Sequence, residues 1–201
     1  NTGVKWVKGQ NLASAVEILA RVQKGSAVFD ETKLFSVNQH WMRTLSDDDF
    51  IKRGGLKAPD EGRLRKAVSL LKERAHTFGE AREMLSGELS CLFEEPTPDR
   101  GRLLAKEPMG GGGAKTALEG LLGPIQALPE GVSAGAVKEV LMPLADAEEK
   151  KGKGGRGAVL WPLRYALSGE ERSPDPFTLI SILGPEESLS RVRRAIAILG
   201  G

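Results

Sequence analysis

An all-α fold follows from three observations on this 201-residue sequence. Apolar residues recur at helical spacing along most of the chain, alternating strand-like runs are scarce, and a capping residue stands before most periodic stretches. The elements can be justified in order. Asn11 caps a first helix with the stripe Leu12, Val16, Leu19 and Val22, closed by Gly25 and Ser26. Asp30 caps a second, whose stripe is Leu34, Val37, Trp41, Met42 and Leu45. Ser46-Asp47-Asp48-Asp49 opens a short helix that Gly54-Gly55 stops. There a hydroxyl accepts from a free backbone amide, and carboxylates face the positive end of the helix dipole. Pro59-Asp60-Glu61 starts the next helix, with proline where its missing N–H costs nothing. Leu64, Ala67, Val68 and Leu71 form its inner face; Arg63, Arg65, Lys66, Lys72 and Arg74 lie on the other. Thr77 caps a further helix through Leu85 and Leu89.

Glu94-Glu95-Pro96-Thr97-Pro98-Asp99 is a composition break and the expected boundary between two small helical bundles, residues 46–96 and 97–201. Residues 1–45 then read as the tail of a separate region. The second bundle begins with Thr97 as cap and Pro98 in the first turn. Helical patterns follow at 115–128, 134–148, 158–168, 176–183 and 186–199. Pro143 is expected to kink or end the second of these. Pro162 reads as a helix start from which Leu163, Ala166 and Leu167 pack inward and Arg164 projects freely. Lys150 to Gly157 is a basic, glycine-rich connector.

Composition narrows the chemistry. The single cysteine, Cys91, excludes an internal disulfide and a thiolate metal cluster, and fits a reducing, cytoplasmic setting. Two histidines, His40 and His76, leave no histidine metal site. No apolar run approaches the ~18 residues of a membrane span. The glycine run 110–113 before Lys115-Thr116 resembles a phosphate-binding loop only loosely, because Ala114 replaces the last glycine and no buried strand precedes it. The acidic clusters Asp47–Asp49 and Glu94-Glu95 stand at helix ends, where capping explains them. Charge is uneven: residues 150–201 hold nine basic against five acidic side chains, a net of +4 on a chain of +2 overall. Such a basic end suits a polyanion. A helical binding module without its own active site is the resulting expectation.

Two segments carry more. Pro162-Leu163-Arg164-Tyr165-Ala166-Leu167-Ser168-Gly169, the turn Ser173-Pro174-Asp175-Pro176-Phe177 and the helix start Leu183-Gly184-Pro185-Glu186 form one. Ala27-Val28-Phe29-Asp30-Glu31-Thr32-Lys33-Leu34 followed by Asn38-Gln39-His40-Trp41-Met42-Arg43 forms the other. Over about residues 18–201 the chain resembles the C-terminal anticodon-binding region of bacterial-type glutamyl-tRNA synthetases, class I enzymes; the likeness is weakest at 96–150. Gln39 replaces a usual glycine and Trp41 a usual tyrosine. The nucleotide-binding motifs of the family are absent. The chain, which starts at Asn1, therefore reads as a C-terminal fragment, with ATP and glutamate activation belonging to a missing half.

The resemblance implies two helical anticodon-binding subdomains, preceded by helices of a stem-contact region. The partner it implies is tRNA-Glu, with no membrane role and a monomeric state. It places Arg74, in Leu71-Lys72-Glu73-Arg74-Ala75-His76-Thr77, at the third anticodon base, C for glutamate and G for glutamine. A planar guanidinium with five donors suits that edge; as an ordinary surface group it would pair with Glu73 or Glu80 instead. Arg164 is placed at the first anticodon base, and Ser173, Pro174, Pro176 and Phe177 at the turn holding the neighbouring bases. Lys150, Lys151, Lys153 and Arg156 are expected to attract phosphates, and Asn38, His40 and Arg43 to face the stem. Trp161 reads as core. The competing expectation is a helical protein-interaction module without an RNA role.

Overall fold

The computed structural model describes residues 31–106, 113–150 and 155–200. These form helices joined by short turns, with no β-strand among the described residues. Backbone contacts group the chain into two compact units, Asn1–Leu34 and Phe35–Gly201. In the first, only the start of α1 (Glu31–Thr44) is described; α1 continues into the second. The expected helix from Asn11, its stripe, and the motif residues Ala27 to Asp30 lie outside the described residues.

The second unit opens with a group of short helices, α2 (Asp47–Gly54), α3 (Glu61–Arg74) and α4 (Phe78–Ser86), which pack on one another. α2 and α4 have the expected caps, while Asp60 caps α3 and so leaves Pro59 before the helix rather than in its first turn. The side chains of Ser46, Asp60 and Thr77 accept from the backbone N–H three residues on. α2 is held by Phe50, which is fully buried edge-to-face against Phe78 with ring centroids 5.4 Å apart. A 3-10 turn, Ser90–Leu92, then buries Leu89, Cys91 and Leu92.

The next helix, α5 (Arg100–Leu103), starts later than expected. Asp99, not Thr97, is its cap, because the Asp99 carboxylate reaches the Arg102 amide at 2.9 Å. Pro96 and Pro98 are buried in this connection. There follow α6 (Gly113–Gln126), α7 (Ala134–Lys150), α8 (Gly157–Ser168), α9 (Pro176–Leu183) and α10 (Pro185–Gly200). α8 touches α6, α7, α9 and α10, and α9 also packs on α3. Pro143 does not end α7. The carbonyl it leaves unpaired belongs to Glu139, which is exposed and open to water. Pro162 lies inside α8 rather than at its start, and is buried.

Met42 is the only residue of α1 that is buried. The rest of its expected stripe differs from the reading above: Leu34, Val37 and Trp41 are half or more exposed, and Leu45 is half-buried. Period alone cannot tell which apolar face finds a partner.

Gly169 ends α8 in the left-handed region, φ +71°. A Cβ there would stand 2.9 Å from the Cβ of Pro96. Gly169→Ala is therefore expected to lower stability by more than about 1 kcal/mol, since alanine resists this conformation and the close approach adds to it. Urea unfolding followed by circular dichroism measures the change; an unaltered midpoint would show that the Pro96 connection gives way.

Candidate nucleic-acid interface

Arg74 is the last residue of α3, where a helix leaves carbonyls without intrahelical donors. α1 supplies those donors. Arg43 donates from Nε to the Lys72 carbonyl at 3.1 Å and from Nη2 to the Glu73 carbonyl at 2.8 Å. Gln39 donates to the Glu73 carbonyl at 2.9 Å, and Asn38 to that of His76. A guanidinium at this end also complements the helix dipole. Asn38 and Arg43, expected to face the stem, thus give donors to the bare carbonyls at the end of α3. His40 is exposed, with its ring edge-on to Trp41.

The Arg74 guanidinium reaches outward from this capped end. Its Nη1 lies 3.1 Å from Glu88 Oε1, and the two side chains are 39% and 36% exposed. Neither Glu73 nor Glu80 is its partner. Glu80 takes the His76 backbone N–H at 2.7 Å, and that bond holds its carboxyl below the usual range.

Arg164 does not project freely. Its Nη2 donates to the Glu171 carbonyl at 2.8 Å and Nη1 to the Ser173 carbonyl at 3.3 Å. Its guanidinium lies 4.9 Å from the centroid of the Trp161 ring. The carbonyls of the turn have no helix to bond with, so Arg164 braces them. Trp161 is half-buried rather than core; its Nε1 donates to the Arg102 carbonyl at 2.8 Å and its ring stacks on Tyr165. Ser173 is half-buried, while Pro174, Pro176 and Phe177 are buried. Their rings set the shape of the corner, and no open apolar face remains on them for a flat ligand. Asp175 caps α9 by accepting from the amides of Phe177 and Thr178, both at 3.0 Å. The structure brings Arg164 and the turn together directly; Arg74 stands on α3, which packs against α9.

Much of the basic surface is balanced locally. Arg65 pairs with Asp48, and Lys72 with Asp47 at 2.6 Å. Arg156, expected to attract phosphates, is drawn to carboxylates of α7: Asp146 at 2.6 Å and Glu149 at 3.1 Å. Lys151 and Lys153 lie outside the described residues, as does the side chain of Lys150. A cleft of about 560 Å³ opens between the starts of α3 and α10, where Asp60, Glu130, Glu186 and Glu187 meet Arg63 and Lys66. The described residues contain no cluster suited to a metal ion. No described helix is long and apolar enough to cross a membrane. The Cys91 thiol is pushed up to about 11 by burial, which keeps it protonated and unreactive near neutrality.

Sequence reasoning missed three groups. Gln39 was seen only as a departure from glycine, and Glu88 sits in a turn without periodic signal. Arg191, read as part of a basic surface, is buried. Its neighbours Ser188, Val192, Ala195 and Leu199 are buried too, and an arginine on that stripe was the available signal.

An arginine at the end of α3 and a proline-cornered turn braced by Arg164 thus belong to one all-helical unit. The chain belongs to the anticodon binding domain family, whose model matches residues 16–196. It is 33% identical to glutamate–tRNA ligase 1 of Mesorhizobium japonicum over 85% of this chain and 37% of that protein. It is 30% identical to the glutamate–tRNA ligase of Anaeromyxobacter sp. (strain Fw109-5), over 87% of this chain and 36% of the relative. Its fold is similar to the crystal structure of a glutamate tRNA ligase from Elizabethkingia meningosepticum. The TM-score is 0.64 at 27% identity, covering 90% of this chain and 35% of that one. The chain thus spans little more than a third of the length of these relatives.

Proposed function

We propose that this chain reads the anticodon of tRNA-Glu as the recognition part of a glutamate–tRNA ligase. One observation carries the reading: the family match runs through both arginine-bearing segments, around Arg74 and around Arg164. Residues 46–96 and 97–201 are its two subdomains in this proposal, and residues 1–45 end a stem-contact region. Glutamate activation with ATP falls to the remainder of such a ligase. The reading takes the chain as a monomer acting in the cytoplasm.

The geometry supports a division of labour. Arg74 offers a guanidinium edge from a helix end that α1 holds still. Unpaired loop bases present the edges that such a group reads. Arg164 with Trp161 fixes the 171–173 turn, so that its backbone meets the neighbouring bases in a set shape. Pro174, Pro176 and Phe177 serve by locking the corner from within.

The test is binding of the chain to tRNA transcripts with C or G as the third anticodon base, at two salt concentrations. Arg74→Gln is expected to reduce the preference for C by about 1–3 kcal/mol, the worth of a good base contact. Affinity is expected to fall as salt rises. An unchanged preference in Arg74→Gln removes Arg74 from the reading. The absence of any salt-dependent RNA affinity favours a protein-interaction module instead.

A further inference from the structure

We infer that Glu88 is a second specificity-determining residue, accepting a hydrogen bond from the exocyclic amino group of the cytosine that Arg74 reads. The inference rests on the anticodon reading proposed above and extends it to a residue which that reading does not contain.

The starting point is the Arg74–Glu88 pair. Only Nη1 of Arg74 is engaged, and among the described residues its Nε and Nη2 make no hydrogen bond. Glu88 uses Oε1, and its Oε2 has no hydrogen-bond partner among the described residues. More than a third of each side chain is exposed, so both face solvent and are open to a ligand. The pair therefore presents, side by side, guanidinium donors and a carboxylate acceptor.

Both groups stand on backbone that is held in place. The carbonyls of Lys72, Glu73 and His76, on either side of Arg74, are taken by Arg43, Gln39 and Asn38. Glu88 lies between Leu85 and Leu89, both buried, in a turn closed by the Gly87 amide on the Glu83 carbonyl and the Leu89 amide on the Met84 carbonyl, each 2.9 Å. Donor and acceptor are thus set before any base arrives, which limits the ordering cost of recognition.

The order of groups then selects a base. The Watson–Crick edge of cytosine carries two acceptors, O2 and N3, followed by one donor, the amino group. Two guanidinium N–H groups beside a carboxylate match that order. Uracil sets a carbonyl against the carboxylate and an N–H against the guanidinium. Guanine places its donors where the guanidinium donates. Adenine matches the amino group and one acceptor but lacks the second. A polar site left unpaired by the wrong base rejects it strongly. Arg74 alone supplies only the donors; Glu88 completes the pattern and sets cytosine apart from a base that merely accepts.

An atomic deletion tests this. RNA hairpins carrying the anticodon loop are made with cytosine, guanine or a pyrimidinone that lacks only the exocyclic amino group at the third anticodon position. Binding is measured for the chain and for Glu88→Ala, with melting by circular dichroism showing that the variant is folded. The unaltered chain is expected to bind the pyrimidinone about 10-fold more weakly than cytosine, the worth of one hydrogen bond to a charged acceptor. Glu88→Ala is expected to bind both alike. Glu88→Gln, which keeps a carbonyl acceptor without the charge, is expected to fall between.

If Glu88→Ala keeps the full cytosine-to-pyrimidinone ratio, Glu88 does no more than orient Arg74 and the inference is overturned. Equal binding of the two bases by the unaltered chain overturns it as well. Loss of any cytosine-over-guanine preference in the unaltered chain sinks the anticodon reading itself, which is a separate result.

Discussion

Arg191→Met is expected to lower the folding stability of this chain by about 3–5 kcal/mol, because several carbonyls lose a charged donor inside the fold. The side chain of Arg191 is 1% exposed. Its Nη1 donates to the carbonyls of Cys91 at 2.7 Å and Leu167 at 2.6 Å, and its Nη2 to that of Glu94 at 3.1 Å. Its Nε meets Glu187 Oε1 at 2.7 Å. One guanidinium thereby joins the 3-10 turn, the end of α8 and the start of α10. Methionine fills similar space but donates nothing, leaving three carbonyls without their donor and Glu187 with Arg63 at 3.7 Å as its remaining cation. Orphaned buried acceptors cost about 1–3 kcal/mol each, so the estimate holds even if water reaches one of them. Equilibrium urea unfolding gives the value. A loss below about 1 kcal/mol would mean that water replaces the whole fork and that Arg191 is not a structural tie. Lysine at this position is expected to recover only part, since it lacks the planar fork.

Phe50→Ala is the second large effect, again about 3–5 kcal/mol. α2 has eight residues, of which only Phe50 and Gly54 are buried. Truncating the ring removes the pairing with Phe78 and empties the space between α2, α3 and α4. It also strips the aromatic face from Lys72, whose Nζ lies 5.6 Å from the ring centroid. Lys72 keeps its bond to the Leu45 carbonyl at 2.7 Å, so the entry to α2 stays tied while its middle loosens. Unfolding free energy measures the total, and amide exchange should show α2 opening before α6 and α10. A cost under about 1.5 kcal/mol would indicate that the three short helices close over the cavity.

How much could be read in advance differs from element to element. The caps at Ser46 and Thr77 were legible because they are local: one side chain, one amide three residues away. The helical class and the glycine stop at Gly54-Gly55 were legible for the same reason. What escaped depends on contacts between segments distant in sequence. The exposure of Leu34, Val37 and Trp41 is invisible to periodicity, which marks an apolar face without naming its partner. Thr97 was the expected cap, but Asp99 takes that place two residues later, beyond the buried Pro96 and Pro98. Arg74 and Arg164 came from resemblance rather than from spacing. Their partners, Glu88 for one and the Glu171 and Ser173 carbonyls for the other, required the fold.

Arginine in this chain serves repeatedly as a clasp on main-chain oxygen. Arg43, Arg63, Arg82, Arg164 and Arg191 each donate to backbone carbonyls elsewhere in the fold. Those N–H donors are thus committed to internal joints before any nucleic acid approaches. The number of arginines accordingly overstates how many N–H groups are left to grip a phosphate chain directly. Fewer direct phosphate grips suit a reader, because the gap between the right RNA and every other RNA widens as sequence-independent contacts drop out.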